Sequence, residues 1–460
     1  MSATERLTLS LNTRINAASQ YDGFDFNSYA VFNGVPLGAN EDGIYSLFDA
    51  QTDAGADIAA YFDTAKIDWG SPYIKNFLKA HVGFEADGDL TLIMRADDGS
   101  PGAKTLSNSF ILNQQHGNLV DLDRSIRGRY FQLRIENVNG SDFSIDSISL
   151  LPPKMTPVPL FAGALGLNMR RDPARVKFDP ETGVQELPEA VNVDVEDSGR
   201  VTRRKGFTLK RPGAAHSLFA HAGHCFFCSG DSLYQLRPDY SARSLGYGLT
   251  PGLRMSHAPV GTDIFHCNGV QNGVIDLLRG SVKAWAGKDY VGPPITYSVH
   301  KPPVGHLVDV FGGRVLLAVD NALLHSLPFA PYWFAPQRNA VRFGSRLTLM
   351  QSVQDGVWVS DEHAAWFLAG ADPDQWGMVM KAPYPAIAGT QAVVDASMVG
   401  ELAQRGIDGK AVMWASREGV CVGAAGGVFL NLTQDTVCLP EAATGAGLWR
   451  NGRYAVSLNP

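Results

Sequence analysis

Four residues in one short stretch, His221, His224, Cys225 and Cys228, are of the types that hold zinc. Structural zinc takes four ligands, normally as two pairs at a regular spacing. No second pair follows, and Phe226 with Phe227 continues a strand between the cysteines, which then point to opposite faces of it. Neither a metal nor any other cofactor is expected. His266 beside Cys267 has the composition of a nucleophile and its base, but neighbours along a strand face opposite ways and cannot pair locally. A buried, apolar Cys267 is expected instead. Carboxylates gather at Asp97 and Asp98, at Asp142 with Asp146, and at Asp361 with Glu362, near turns. None has the Asp/Asn alternation, glycine and later glutamate of a calcium loop. There is no phosphate-cradling G-x-x-x-x-G-K-[ST] and no strand-anchored G-x-G-x-x-G. Carboxylates remote in sequence, as propeller glycosidases use, leave no local pattern. Residue by residue, the chain is expected not to be an enzyme.

Two stretches have partner-binding chemistry instead. From Gly199 to Arg211 run six cations, Arg200, Arg203, Arg204, Lys205, Lys210 and Arg211, without an acid. They could meet DNA phosphates, but Glu186, Glu189, Asp194, Glu196 and Asp197 lie just upstream. Pairing within the chain or across subunits is the favoured expectation. In Leu327–Pro336 the rings of Phe329, Tyr332, Trp333 and Phe334 lie between prolines, which argues against a regular strand. They either pack beneath a long loop or anchor a partner subunit.

The elements that would carry these residues are strands. Charged residues make up only 18% of the chain, and 48 glycines with 26 prolines supply turns throughout, which points to an all-β protein with apolar surface for partners. From Tyr29 to Phe62 the short apolar pieces are strand fragments, since no apolar stripe of period 3.6 holds for three turns there. A net charge of −7 argues against gripping nucleic acid but tolerates DNA sliding past. No run of 18 apolar residues or apolar leader core occurs, so neither a membrane span nor export is expected. The five cysteines are expected as free thiols formed in a reducing cytoplasm.

Residues 1–24 read as an arm. Residues 25–152 alternate as strands, with hairpins expected at Lys75–Phe84 with Leu90–Met94, and at Phe131–Ile135 with Phe143–Ile148; together they suggest an antiparallel β-sandwich. Prolines at 152, 153, 157 and 159 open a linker and connector over 153–186. Leu187–Phe207 reads as a hairpin, with Val191, Val193 and Val195 alternating, a turn at Glu196–Gly199 and a second arm from Val201. After it an apolar strand–turn–strand unit recurs from 225, 263, 314, 347 and 411, with a shorter piece, RYAVSLNP, at the end. The average interval fits the roughly 40–50 residues of a four-stranded blade. A β-propeller of about six blades is expected over 187–460, with Tyr454–Leu458 pairing with the opening hairpin to close the ring.

Three segments, GRYFQLRIENVNGSDFSIDSISLLP, DSGRVTRRKGF and WASREGVCVGAAGGVFLNLT, resemble virion proteins of tailed phages, most closely the β-propeller tail nozzle of short-tailed phages. The resemblance implies a structural protein of the virion tail, assembled in the host cytoplasm as a homo-oligomer, a hexamer in the nozzle. It would sit below portal and adaptor and line the channel for genome ejection, with double-stranded DNA passing unread. The alternative from another class is a host-surface carbohydrate-binding or carbohydrate-cleaving propeller of the tail.

Overall fold

The computed structural model describes residues 6–97, 102–106, 116–153, 156–246, 248–286 and 295–459. Seven sheets of four or more strands succeed one another around an axis, and the first strand of each lies innermost. The first holds Ser28–Phe32, Val35–Ala39 and Gly43–Ala50, with Gly206–Pro212 as its outer strand. Five more follow over residues 216–244, 256–283, 307–342, 347–382 and 392–431. The seventh is made by both chain ends: Thr444–Arg450 and Arg453–Asn459 pair onward to Leu7–Asn12 and Ala17–Tyr21. Its inner strand lies beside that of the first sheet, so the ring closes. This is a β-propeller.

The seven gaps between successive sheets each hold an apolar cluster. Strand alternation supplies them, because each blade sends odd residues to one neighbour and even residues to the other. Cys225 and Phe227 fill the gap to the first blade, while Phe226 and Cys228 fill the gap to the third. Hence strands such as Arg314–Val319 and Gly356–Asp361 carry continuous apolar stretches, Val315–Ala318 and Val357–Val359, buried on both faces. The gap between the fifth and sixth blades is dominated by Trp358 and Trp414, both fully buried with centroids 5.6 Å apart.

Residues 51–205 are inserted between the third and fourth strands of the first blade. They form two facing sheets. One extends the seventh blade sideways: beyond Ala17–Tyr21 come Glu189–Val191, Tyr61–Asp63, Phe131–Asn137, Leu90–Ala96 and Gly102–Leu106, giving nine strands in all. The other pairs His116–Asp121, Lys79–Ala86, Phe143–Leu151, Val201–Arg203 and Val193–Val195 in that order, with Val158–Phe161 against Phe143–Leu151. Leu92, Met94, Leu133 and Ile135 of the first meet Val82, Phe84, Ile145 and Ile148 of the second in a core that also takes in Leu9, Leu11 and Val456 of the seventh blade. Lobe and propeller therefore share one sheet and one core.

Several expectations are corrected. Of the expected 1–24 arm, the described residues 6–24 hold Leu7–Asn12 and Ala17–Tyr21, which are buried strands of the closing blade. Residues 25–152 do not make one sandwich, since the strands of 28–50 belong to the propeller. The 153–186 connector contains Val158–Phe161 and Gly163–Leu167, and the latter runs parallel to Val184–Leu187. The two expected lobe hairpins are arches between sheets: Lys79–Ala86 and Leu90–Ala96 lie in different sheets, as do Phe131–Asn137 and Phe143–Leu151. Alternation marks a strand with one buried face but not which of two facing sheets it joins. The hairpin at 193–203 forms with its turn at 196–199, yet it finishes the lobe and does not open the propeller. Tyr454–Leu458 closes the ring on Leu7–Leu11 instead of on that hairpin. Seven blades replace six because the first is split by the lobe.

Candidate functional site

The residues first singled out for chemistry are structural. Cys225 and Cys228 are buried in different gaps, and burial pushes each thiol up to about 12. Cys267 is buried against the fourth blade, with burial raising its thiol as well. All five cysteines are free, and only Cys438 is exposed. Among the described residues no three His, Cys, Asp or Glu side chains gather as a metal site. Asp361 caps its own turn by accepting from the amides of His363 and Ala364. Asp97 accepts from the amides of Arg129 and Tyr130 in a separate segment, and those amide bonds hold its carboxyl below the usual range. Asp98 lies outside the described residues.

The basic run pairs within the chain, but with lobe and first-blade acids in place of the upstream ones. Arg200 meets Glu85 and Asp146, Arg203 and Lys205 meet Asp142, and Lys210 approaches Asp49. Arg204 is fully buried, and its fork grips both oxygens of Asp53 at 2.8 and 2.6 Å. Arg211 lies over the rings of Phe227 and Tyr234. The upstream acids have other partners: Glu189 takes Arg134, Asp194 takes Arg453, and Asp197 takes Arg14. Contrary to the proline argument, Ala330–Phe334 is a strand. Tyr332 and Phe334 are buried with Phe265 and Trp285, and Trp333 packs partly against the same cluster. Only Phe329, 87% exposed at the preceding turn with φ +55°, is free to meet a partner.

What the sequence did not reveal is the hub. Six blades line a central cavity of about 780 Å³. Such residues are spread from Leu218 to Thr444, so no local spacing betrays them. Asp309 projects from the fourth blade and accepts from the Ser352 amide at 2.5 Å and from the Val310 amide at 2.8 Å. Burial raises its carboxyl, with Lys410 opposing. Lys410 of the sixth blade donates to Ser352 Oγ at 3.1 Å, which links three blades. His306 meets the Leu347 carbonyl at 2.8 Å, and burial lowers its ring all the same.

Arg254 is the hub's most unusual group. It precedes the third blade, yet donates to the Gly389 carbonyl before the sixth blade at 2.9 Å and to the Gly445 carbonyl of the seventh at 2.5 Å. Its side chain thus spans the ring between blades that are not neighbours. A Cβ at residue 389 would lie 1.7 Å from its guanidinium, and the backbone there has φ +86°, so this position requires glycine. Surrounding protein lowers the guanidinium to about 10 through desolvation alone, which leaves it charged at neutral pH. Among the described residues no carboxylate lies within ion-pair distance of it.

His257, stacked on Phe219 at 4.6 Å, and His266 behind it are both held neutral by burial, His266 down to about 4. The folded chain binds fewer protons than the unfolded one below the ordinary value of 6.5. Stability is therefore full above that pH and falls as the pH drops toward 4, by about 1.4 kcal/mol per pH unit for each histidine. Urea midpoints taken from pH 7 to 5 should fall accordingly, and a flat profile would contradict this assignment.

Fold and hub define the class: a β-propeller with a β lobe built into its first blade. No family model and no curated protein matches the chain. Among solved structures it is similar to the WD40 domain of Neurospora crassa Pan2, with 12% identity over 68% of this chain and 86% of that one at a TM-score of 0.33. It is similar also to the N-terminal domain of Nup159, with 9% identity over 55% of this chain and 78% of that one at 0.35. The extracellular domain of the one component system BT4673 from B. thetaiotaomicron matches at 11% identity and 0.33, over 57% of this chain, which spans only 33% of that one. Likeness at these scores says nothing of activity.

Proposed function

We propose that the protein is a structural component of a phage tail, the nozzle-type ring below portal and adaptor, with about six copies around the DNA exit channel. The continuous nine-stranded sheet that welds lobe to seventh blade carries this reading. It makes seven blades and an inserted sandwich a single stiff wall element, as a passive conduit requires. Two further features agree with it. Five of the six cations of the 200–211 run are paired with acids of their own chain, and the chain's net charge of −7 would not hold passing DNA. Apolar tips at Phe329, Leu278, Tyr73 and Ile74 stand in solvent, where neighbouring copies or the adaptor would cover them.

DNA would pass between copies and not through the propeller axis. A hub of about 780 Å³ crossed by Arg254 has the size of a small-molecule site. Light scattering of the chain alone and mixed with portal and adaptor rings tests the reading. A ring of about six, or one assembled only on the adaptor, is expected. A monomer that ignores both rings would sink it.

A further inference from the structure

The hub holds a charge without a counter-charge. Arg254 has five N–H donors, and two backbone carbonyls engage only part of them. Its side chain is open to the cavity, as are Arg346 and Glu362 near the mouth. Arg254 is exposed to the hub, so its unengaged donors face the cavity, where an anion would accept from them in place of water through charge-assisted hydrogen bonds. At another point of the wall, Asp309 and Lys410 present an acceptor and a donor bridged through Ser352.

From this arrangement we infer that the hub is a binding site for a small hydroxylated carboxylate, a sugar acid, with its carboxylate on Arg254 and its hydroxyls on Asp309, Lys410 and Gln351. The wall itself decides between a sugar acid and a phosphate. A doubly charged phosphate filling the hub would be repelled by Asp309 and Glu362, whereas sugar hydroxyls donate to them. Phe219 adds an apolar face for the ring, and the volume suits one or two sugar units. The site is a property of the single chain and stands whether or not the protein assembles in a tail.

Isothermal calorimetry with glucuronate, glucose and inorganic phosphate on the full chain tests it. Glucuronate should bind saturably. Glucose should bind at least about tenfold more weakly, the worth of one charge-assisted hydrogen bond. Arg254→Gln should lose glucuronate binding by a similar factor. Since that variant also removes a strut across the ring, its fold is checked by its melting curve, and Asp309→Asn serves as a second variant expected to weaken glucuronate several-fold. Equal binding of glucose and glucuronate, binding of phosphate alone, undiminished binding by both variants, or no binding of any of the three would each overturn the assignment.

Discussion

Arg204→Ala should lower the unfolding free energy by about 3–5 kcal/mol, the cost of removing one partner from a buried ion pair. Arg204 is fully buried where four segments converge. Its fork meets Asp53, at the start of the lobe, and its Nε donates to Asn192 at 2.8 Å. A further donor reaches the Asp22 carbonyl at 2.9 Å, just past the closing blade's outer strand, and the rings of Tyr21 and Phe24 lie within 5.3 Å of the guanidinium. One side chain therefore ties lobe entry, lobe exit, first blade and seventh blade. Asp53→Ala should cost a comparable amount, because it leaves the guanidinium buried and unpaired. The double variant should lose less than the sum of the two, since the pair acts as a unit. Urea unfolding of the four proteins measures this. A loss below about 1 kcal/mol for Arg204→Ala would mean that the junction is held by apolar packing alone.

Ending the chain after Asn451 should abolish cooperative folding. The missing strand, Arg453–Asn459, lies between Thr444–Arg450 and Leu7–Asn12, and its loss parts the two chain ends. Tyr454, Val456 and Leu458 are buried, each worth about 1.5–3 kcal/mol. Tyr454 also donates to the Thr390 carbonyl at 2.6 Å, and Ser457 is bonded to Thr8 at 2.8 Å. Together with a severed ladder, this loss rivals the whole net stability of about 5–15 kcal/mol typical of a domain. Circular dichroism melts and solubility of the truncated chain check it. A truncated protein that melts cooperatively within a few degrees of the full chain would show that the ring holds without this closure.

Local chemistry was legible. The alternation of Leu90, Leu92 and Met94, or of Phe131, Leu133 and Ile135, marked strands that exist, and the turn at Glu196–Gly199 lies between paired strands. Five strand–turn–strand units fell on five blades. Opposite facing of Cys225 and Cys228 followed from the two-residue period alone and is seen in their separate clusters. The prolines flanking and within 329–334 argue against pairing, yet the stretch is a strand over Ala330–Phe334. In fact Pro331 enters a short, bulged strand against Ser326–Leu327, with its carbonyl accepting from Trp285.

Composition and alternation by themselves determined that this chain is all-β, rich in turns, and built of strands buried on one or both faces. Which strands meet was decided only by tertiary structure. Leu7 pairs with Leu458, Gly206 returns to Ala50 across the whole lobe, and Arg254 reaches Gly389 and Gly445. The physical reason is that side-chain period is a property of a strand, whereas sheet membership depends on partners hundreds of residues away. Those partners are chosen by how the gaps between blades fill and where the two chain ends meet. The hub follows the same rule: its charged groups come from different blades, and only the closed ring brings them to one cavity.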